Sequence, residues 1–136
     1  MEKVEQRLSS LSQSFKTLED SLKIIKKPEY KDIYHFLRDS VIQRFEYSID
    51  GFWKFLKIYI QENKNIQIDF ANPRETLRTS LHMNILDEKD FKILLEGMRH
   101  RNLTSHIYNE KRAEEIFQEI PRYHKTMKRI IENIKL

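Results

Sequence analysis

The chain has 136 residues, 34% of them charged, and a formal net charge of +4 at pH 7. Its length is that of one domain with a core of its own, so we expect a single domain over residues 1–136. It contains no cysteine, which excludes disulfide frameworks, zinc–thiolate sites and cysteine nucleophiles. We find neither a signal peptide nor an uninterrupted apolar stretch of about 18 residues. We therefore expect a soluble, cytoplasmic protein without a membrane segment.

The positive charge is concentrated at the C-terminal end of the chain. Residues 122–136 hold five basic side chains and one acidic side chain, which accounts for the whole excess of four. Such a segment can contact nucleic acid or an acidic partner. More commonly, basic residues simply suit the negative C-terminal end of a last helix.

The spacing of apolar residues predicts helices throughout. Only two glycines and three prolines are present, and apolar residues recur at three- and four-residue steps. A first helix carries one apolar stripe from Val4 to Ile25 and stops before Pro28. A second helix can begin at Pro28 or Glu29, since proline fits a first turn, and runs to about Asn63. Gly51 inside it can ease a close helix contact or a slight bend.

A loop over residues 63–72 separates the second helix from a short third one. The apolar residues of this loop are expected to cover the core. Asn72, Pro73 and Glu75 make a strong helix start, with Asn72 as N-cap and Glu75 able to reach back in a capping box. This third helix is predicted to end near residues 82–84.

Two more helices are predicted after the short one. Asp87 with Asp90 forms a weaker cap for a fourth helix, which carries apolar positions towards Leu103. Asn109 can cap the next helix, and Pro121 must kink that helix or split off a final one. The predicted fold is all-α: an antiparallel, up-down four-helix bundle with an additional short helix.

The most informative segment lies at the C-terminal end of the fourth helix, where Arg101, His106 and Tyr108 stand within eight residues. Arg101 is a permanent cation that can bind phosphate oxygens and the charge that grows on them in a reaction. His106 can act as general base or general acid near neutral pH. Asn102 can orient a phosphate or the histidine. Together these groups are suited to a phosphate ester without a metal; Arg99 and His100 beside them can add positive field.

Helical geometry restricts how these side chains can meet. In one unbroken helix, Arg101 and Tyr108 lie almost in line, whereas His106 lies about 140° round from Arg101. The three converge only if the helix ends around Thr104 or Ser105, or if a second copy of the chain completes the site.

Two carboxylates of the second helix are candidates for a supporting role. Glu46 and Asp50 stand four residues apart and therefore share one face. They can hold Arg101 or His106 in place or line a cleft, and ordinary solvated charge is the alternative. The nearby aromatic stretch around Trp53 can stack bases, although aromatics at helical spacing are more often core or interface.

A metal site is not expected from the sequence. A di-iron bundle needs Glu-x-x-His pairs that recur on two helices. The closest approaches, Asp32 with His35 and Glu96 with His100, do not repeat that pattern. We therefore predict neither a metal nor a cofactor.

Four segments together resemble one known superfamily. They are residues 39–46, 50–57, 72–75 and 101–108. In this order they resemble the HEPN superfamily and, more narrowly, its branch of nucleotidyltransferase substrate-binding proteins, or HepT-like toxins. The resemblance covers nearly the whole chain, and the Arg-x4-His-x-Tyr element is specific to that branch. One departure is Asp50, where a glutamate is expected ahead of the tryptophan; the charge is kept and only the reach differs.

The resemblance implies a helical bundle that forms a homodimer, with two copies of the motif facing each other across a cleft. It also implies a separately encoded minimal nucleotidyltransferase as partner. In members that are toxins, the arginine and histidine serve metal-independent RNA cleavage, and the partner silences them by AMPylation of the tyrosine. Carried over to this chain, Arg101 and His106 become the catalytic pair, Asn102 a supporting residue and Tyr108 the AMP acceptor.

The resemblance therefore predicts the toxin of a toxin–antitoxin pair, a metal-independent endoribonuclease. The alternative is a non-catalytic subunit that binds a substrate or nucleotide for a two-component nucleotidyltransferase. The chain has no nucleotidyltransferase motif of its own, so any nucleotide transfer must come from the partner. A helical scaffold that keeps the signature as a remnant is a third possibility.

Overall fold

The structure is a computed structural model that describes residues 2–64, 72–103 and 109–134. These ranges are almost entirely helical and contain no strand, which confirms the predicted all-α class. A 3-10 helix at Pro28–Ile33 precedes the second α-helix. The α-helices of the described ranges are α1 (Glu2–Ile24), α2 (Tyr34–Asn63), α3 (Pro73–His82), α4 (Glu88–Leu103) and α5 (Glu110–Asn133).

Helix α2 is the centre of the bundle because it is apolar on more than one side. Phe45, Ile49, Phe52 and Leu56 are each fully buried, and a helix of this kind must be surrounded to keep water away. Helices α1, α3, α4 and α5 all pack against it. Each large apolar side chain that is fully buried contributes about 1.5–3 kcal/mol to the free energy of unfolding.

Contacts between α2 and its neighbours define the helix directions. Leu11 of α1 lies beside Gly51, whereas Ile24 shares a groove with Leu37, so α1 and α2 are antiparallel. Helix α4 is also antiparallel to α2, since Gly97 lies against Ile49 and Arg101, one turn later, contacts Glu46, which precedes Ile49 on α2.

Helices α4 and α5 run in opposite directions and complete the up-down bundle of α1, α2, α4 and α5. His100 near the end of α4 contacts Tyr123, and Asp90 near its start bonds to Arg129. The short helix α3 is the additional element, and it packs against both α2 and α4.

The start of the second helix differs from the prediction. Residues Pro28–Ile33 form a 3-10 helix without a buried side chain, and α2 begins at Tyr34. Most helical stability in proteins comes from packing of an apolar face. Because this segment buries none, nothing favours the α-helical hydrogen bonds over the tighter 3-10 turns that are common at helix ends.

The predicted N-cap of α3 is confirmed. The Asn72 side chain accepts hydrogen bonds from the backbone N–H groups of Arg74 and Glu75, at 2.9 and 3.4 Å. The Glu75 carboxylate accepts instead from Arg78 Nη1 at 3.2 Å, three residues along the same helix. The cap therefore rests on Asn72, with Pro73 in the first turn as predicted.

The starts of α4 and α5 are also capped as predicted. The Asp90 N–H donates to the Asp87 carboxylate at 2.8 Å, and the Asp87 N–H donates back to Asp90 at 3.3 Å, so the two residues form a reciprocal capping box. Asn109 accepts from the backbone N–H of Arg112 at 3.0 Å. Each bond satisfies a donor that the first helical turn leaves without an intrahelical acceptor.

Pro121 does not split the last helix, and α5 continues from Glu110 to Asn133. Ile120, Tyr123 and Met127 are fully buried on the two sides of the proline. Their packing offsets the loss of one backbone hydrogen bond and the crowding of the proline ring, which together cost about 3 kcal/mol. The apolar residues of the predicted loop, which fall at positions 65–71, lie outside the described residues.

The surroundings of the two glycines predict opposite effects of alanine substitution on the free energy of unfolding. A Cβ on Gly97 would lie 3.2 Å from Ile49 Cδ1 and 3.3 Å from Tyr123 Cγ, whereas one on Gly51 would meet only Leu11 Cδ1 at 3.5 Å within the described structure. We expect Gly51→Ala to raise the free energy of unfolding by about 0.5–1 kcal/mol, because alanine favours helix. Gly97→Ala should lower it by about 1–2 kcal/mol through overpacking. Urea denaturation measures both, and a shift of the same sign in both variants would contradict this account.

Candidate functional site

Two carboxylates of α2 hold the guanidinium of Arg101. Arg101 Nε and Nη2 donate to Asp50 Oδ1 and Oδ2 at 3.3 and 3.1 Å. Arg101 Nη1 donates to Glu46 Oε2 at 2.5 Å. Two parallel hydrogen bonds to one carboxylate fix the plane of a guanidinium, and the Glu46 contact fixes its second edge.

The sequence positions of these residues explain why they meet. Arg101 follows the buried residues Leu94 and Met98 by seven and three positions, so it lies on the same face of α4, towards α2. Glu46 and Asp50 each directly follow a buried residue of α2, Phe45 and Ile49. The core contacts of both helices therefore bring the cation and the carboxylates together at the edge of the core.

The ion pairs of this cluster orient the Arg101 side chain more than they stabilise the fold. The Arg101 side chain is 27% exposed, and those of Glu46 and Asp50 are 22% and 38% exposed. Hydrogen bonding to Asp50 raises the pKa of Arg101 further above its usual range, so it stays a cation at any relevant pH. Partly solvated ion pairs add little to the free energy of unfolding. The main consequence is a cation with a defined direction.

A cleft of about 520 Å³ opens beside Arg101 between α2, the start of α3 and α4. Its wall includes Asp50, which holds Arg101, together with Asn102 and Trp53. Trp53 is 9% exposed. Four basic side chains line it against two acidic ones, Asp50 and Glu96, so its charge is positive. The basic residues are Arg74, Lys92, Arg99 and Arg101.

His100 is turned towards α5 and is a neutral group. Its Nδ1 lies 2.7 Å from Tyr123 Oη, and its Nε2 lies 3.3 Å from Glu96 Oε1. Burial lowers the pKa of His100 below its usual value of 6.5, and burial raises the pKa of Tyr123 to about 12. Tyr123 and His100 therefore share a hydrogen bond between two neutral groups. His100 supports the cleft wall at Glu96 and does not add the positive charge considered from the sequence.

The structure thus brings together some of the predicted site residues. Arg101, Glu46 and Asp50 are in contact, and Asn102 lines the adjoining cleft. His106 and Tyr108 lie outside the described residues. Whether one helix carries the whole motif, or a second copy completes the site, depends on these residues. The functional roles of His106 and Tyr108 therefore stay predictions.

Sequence reasoning did not identify Arg74 and Lys92 as cleft residues. Lys92 is an ordinary basic residue on an exposed helix position, among 25 in the chain. Arg74 lies in the segment 72–75 that resembles the family, but that segment indicates only a helix start. The packing of α3 against α4 brings both residues to the same cleft as Arg101.

The basic C-terminal segment takes part in the bundle. Arg122 pairs with Glu119 at 3.2 Å, Lys128 pairs with Glu19 of α1 at 2.8 Å, and Arg129 pairs with Asp90 of α4. These cations are therefore paired within the bundle, whereas the last turn of α5 carries no basic residue to complement the helix dipole.

The three described ranges contain neither a metal-binding cluster nor a membrane-spanning helix. No group of three or more His, Asp or Glu side chains there is arranged to hold a metal ion. None of the helices in those ranges combines the length and the apolar character that crossing a membrane requires.

Fold and site define an all-α bundle in which an oriented arginine borders a basic cleft. The family model described as "Nucleotidyltransferase substrate binding protein like" matches residues 6–136. The chain therefore belongs to this family, which is related to the HEPN proteins. The crystal structure of a protein from Thermus thermophilus is similar, with a TM-score of 0.75 and 28% sequence identity over 90% of this chain and 99% of that chain. No curated protein matches.

The partly buried His100 predicts a loss of stability in mild acid. Because folding lowers its pKa below 6.5, the unfolded chain binds more protons once the pH falls below about 6.5, and the free energy of unfolding decreases with falling pH. His100→Gln keeps a hydrogen-bonding group for Tyr123 but does not titrate. We expect a shallower pH dependence in this variant between about pH 7 and pH 5, measured by urea denaturation.

His82→Gln is the matched control, since His82 is an exposed histidine of α3. A pH dependence that is the same in the wild type and in His100→Gln would contradict the assignment of a partly buried, neutral His100.

Proposed function

We propose that this protein is a HepT-like toxin, a metal-independent endoribonuclease that a separately encoded minimal nucleotidyltransferase controls. The observation that carries the proposal is the Arg101 guanidinium, fixed by Asp50 and Glu46 at the mouth of a positively charged cleft. The family membership supports a nucleotidyltransferase as partner.

The proposed reaction uses the ribose as the internal nucleophile. The 2′ hydroxyl loses its proton and bonds to phosphorus, the P–O5′ bond breaks, and O5′ gains a proton, so the products are a 2′,3′-cyclic phosphate and a 5′ hydroxyl. His106 serves one of the two proton transfers as general base or general acid. Arg101 stabilises the negative charge that grows on the non-bridging oxygens.

The carboxylate clamp, which is formed by Asp50 and Glu46 around the Arg101 guanidinium, orders that side chain in this mechanism. A free arginine side chain samples many rotamers, and ordering it in the transition state costs about 1.5–2 kcal/mol of side-chain entropy. Asp50 and Glu46 order the guanidinium before the substrate arrives, which is the arrangement expected of a preorganised site. Asn102 lines the same cleft and would orient the phosphate or the histidine.

We further propose that the active form is a homodimer in which two copies of the motif face each other. The proposal follows from the resemblance to HEPN proteins. A second copy would supply the second proton-transfer group that the reaction needs if His106 of one copy serves only one step.

RNA cleavage in the presence of EDTA tests the proposed activity. We expect the wild type to cleave RNA and His106→Ala and Arg101→Ala to lose about 10²–10³-fold in rate, the range for a lost general acid–base or a lost oxyanion stabiliser. Asp50→Asn keeps Arg101 but loosens the clamp and should lose about tenfold. Arg78→Ala, which removes an exposed arginine of α3, is the matched control.

Equal cleavage by the wild type and His106→Ala, or no cleavage by either, rules out the ribonuclease.

A second candidate function is a non-catalytic subunit that presents a substrate or nucleotide to its nucleotidyltransferase. The family description, which names substrate binding, favours it. In this case Arg101 and the cleft bind without cutting, and RNA remains intact.

Modification of Tyr108 is a separate prediction about the partner. The Tyr108 oxygen would bond to the α-phosphorus of ATP as pyrophosphate leaves and the phenol loses its proton. After co-expression with a minimal nucleotidyltransferase as the proposed partner, mass spectrometry should find one added AMP on the peptide with Tyr108 and none in Tyr108→Phe. An unmodified wild-type peptide would count against the acceptor role.

A further inference from the structure

We propose that the surface around the connection between α1 and α2 is the docking site for the nucleotidyltransferase partner. This connector surface consists of four exposed apolar or aromatic side chains that are interspersed with four lysines. The first group is Ile24, Tyr30, Ile33 and Phe36, and the second is Lys23, Lys26, Lys27 and Lys31. The inference rests on the proposed function only in taking a nucleotidyltransferase as the partner.

The apolar side chains of the connector surface are not covered by the described part of the chain. Five large apolar or aromatic side chains of the described ranges are exposed, and all but Tyr47 belong to this surface. Phe36 is 77% exposed, and the 3-10 helix Pro28–Ile33 buries none of its side chains. Exposed apolar side chains that cluster in one region mark interaction sites, whereas scattered ones do not.

The charge of the connector surface fits a partner with acidic groups. Its four lysines are exposed, and none of them forms an ion pair with an acidic side chain of residues 2–64, 72–103 and 109–134. Only two carboxylates, Glu29 and Asp32, lie in the same stretch of residues 23–36. Protein interfaces have an apolar centre and a polar rim, and opposite charges on the two partners steer their association. The complementary surface is therefore an apolar patch with carboxylates around it.

The connector surface lies at the end of the bundle where α5 begins. His35 Nδ1 lies 2.9 Å from Glu110 Oε1, so the start of α5 is held beside the start of α2, where Phe36 also lies. The predicted AMP acceptor, Tyr108, directly precedes Asn109, the N-cap of α5, in the sequence. An enzyme that modifies Tyr108 must therefore approach this end of the bundle.

Shape and side-chain chemistry favour a protein over a nucleic acid or a lipid surface. Bases stack on aromatic side chains and would leave Ile24 and Ile33 uncovered. A groove of about 240 Å³ between α1 and α2 also reaches the connector surface, since Ile24, Leu37 and Arg44 line it. A partner protein can place an anchoring side chain in such a groove, whereas a flat bilayer cannot.

Binding of the purified chain to a minimal nucleotidyltransferase tests the connector surface. Isothermal titration calorimetry measures Kd for the wild type, Phe36→Ser and Tyr47→Ser. We expect Phe36→Ser to raise Kd at least about tenfold, because an aromatic anchor is lost. Tyr47→Ser is the matched control and should leave Kd unchanged. Tyr47 is an aromatic residue of the same helix, 55% exposed, and lies about 16 Å further along it.

A second pair of variants tests the charge of the connector surface. Lys26→Ala/Lys27→Ala should raise Kd about three- to tenfold at low salt and weaken its dependence on the NaCl concentration, because exposed charges act through a screened attraction. Lys89→Ala/Lys125→Ala is the control, since it removes two charges from exposed positions of α4 and α5. Circular dichroism and urea denaturation verify that all the variants fold.

The binding experiment separates this inference from the proposed function. If the wild type does not bind the nucleotidyltransferase, both the partner and its docking site are wrong. If the wild type binds and Phe36→Ser or Lys26→Ala/Lys27→Ala is affected no more than its control, only the docking site is wrong. Binding that depends on Phe36, without AMP on Tyr108, would support the docking site and remove the modification.

Two other occupants of the connector surface would also overturn the inference. If Phe36→Ser changes the oligomeric state of the free chain in analytical ultracentrifugation, the surface belongs to a second copy of the chain. If the wild type sediments with phosphatidylglycerol vesicles and Phe36→Ser does not, the surface belongs to a membrane.

Discussion

Helix α2 carries apolar side chains around most of its circumference, and water is kept from them only when other helices surround it. Phe45, Ile49 and Phe52 are fully buried, and α1, α3, α4 and α5 all pack against this helix. The positions of the other helices follow from that requirement. Gly97 shows how closely α4 approaches, because a single added carbon would already crowd Ile49 and Tyr123.

The same packing creates the electrostatic problem that the site solves. Arg101 lies on the inner face of α4 beyond Met98, so its guanidinium loses part of its hydration. A partly buried cation needs hydrogen-bonded counter-charges, and α2 supplies Glu46 and Asp50 at the same height. The result is an arginine whose direction the core determines. That is the property expected of a group that must meet a phosphate in one geometry.

Behind the cleft, a partly buried hydrogen bond supports the wall that carries Glu96. Tyr123 of α5 shares a hydrogen bond with His100, and His100 contacts Glu96, which in turn bonds to Arg99. The cleft therefore has two kinds of cations. Arg99 and Arg101 are held by carboxylates, whereas Arg74 and Lys92 stand on exposed positions of α3 and α4. We infer that the first kind orients a bound anion, whereas the second kind attracts it to the cleft.

Much of this protein is determined by local sequence. The apolar spacing predicts the helices, and Asn72, Asp87 and Asn109 cap them as predicted, because a cap involves side chains and N–H groups only two or three residues apart. The segments that resemble the HEPN family are also local, and they agree with the family to which the chain belongs. Arg101 is a candidate from such a segment alone.

Tertiary structure decides what depends on distant residues. Pro121 remains inside α5 because Ile120 and Tyr123 pack into the core, and Pro28 begins a 3-10 helix because that segment buries no side chain. From the sequence, Glu46 and Asp50 can contact Arg101 or His106, or simply line a cleft. The packing of α4 against α2 brings them to Arg101. Arg74 and Lys92 join the cleft only because α3 packs on α4. Local patterns cannot contain this information, since burial and electrostatic contacts arise between helices that are far apart in the chain.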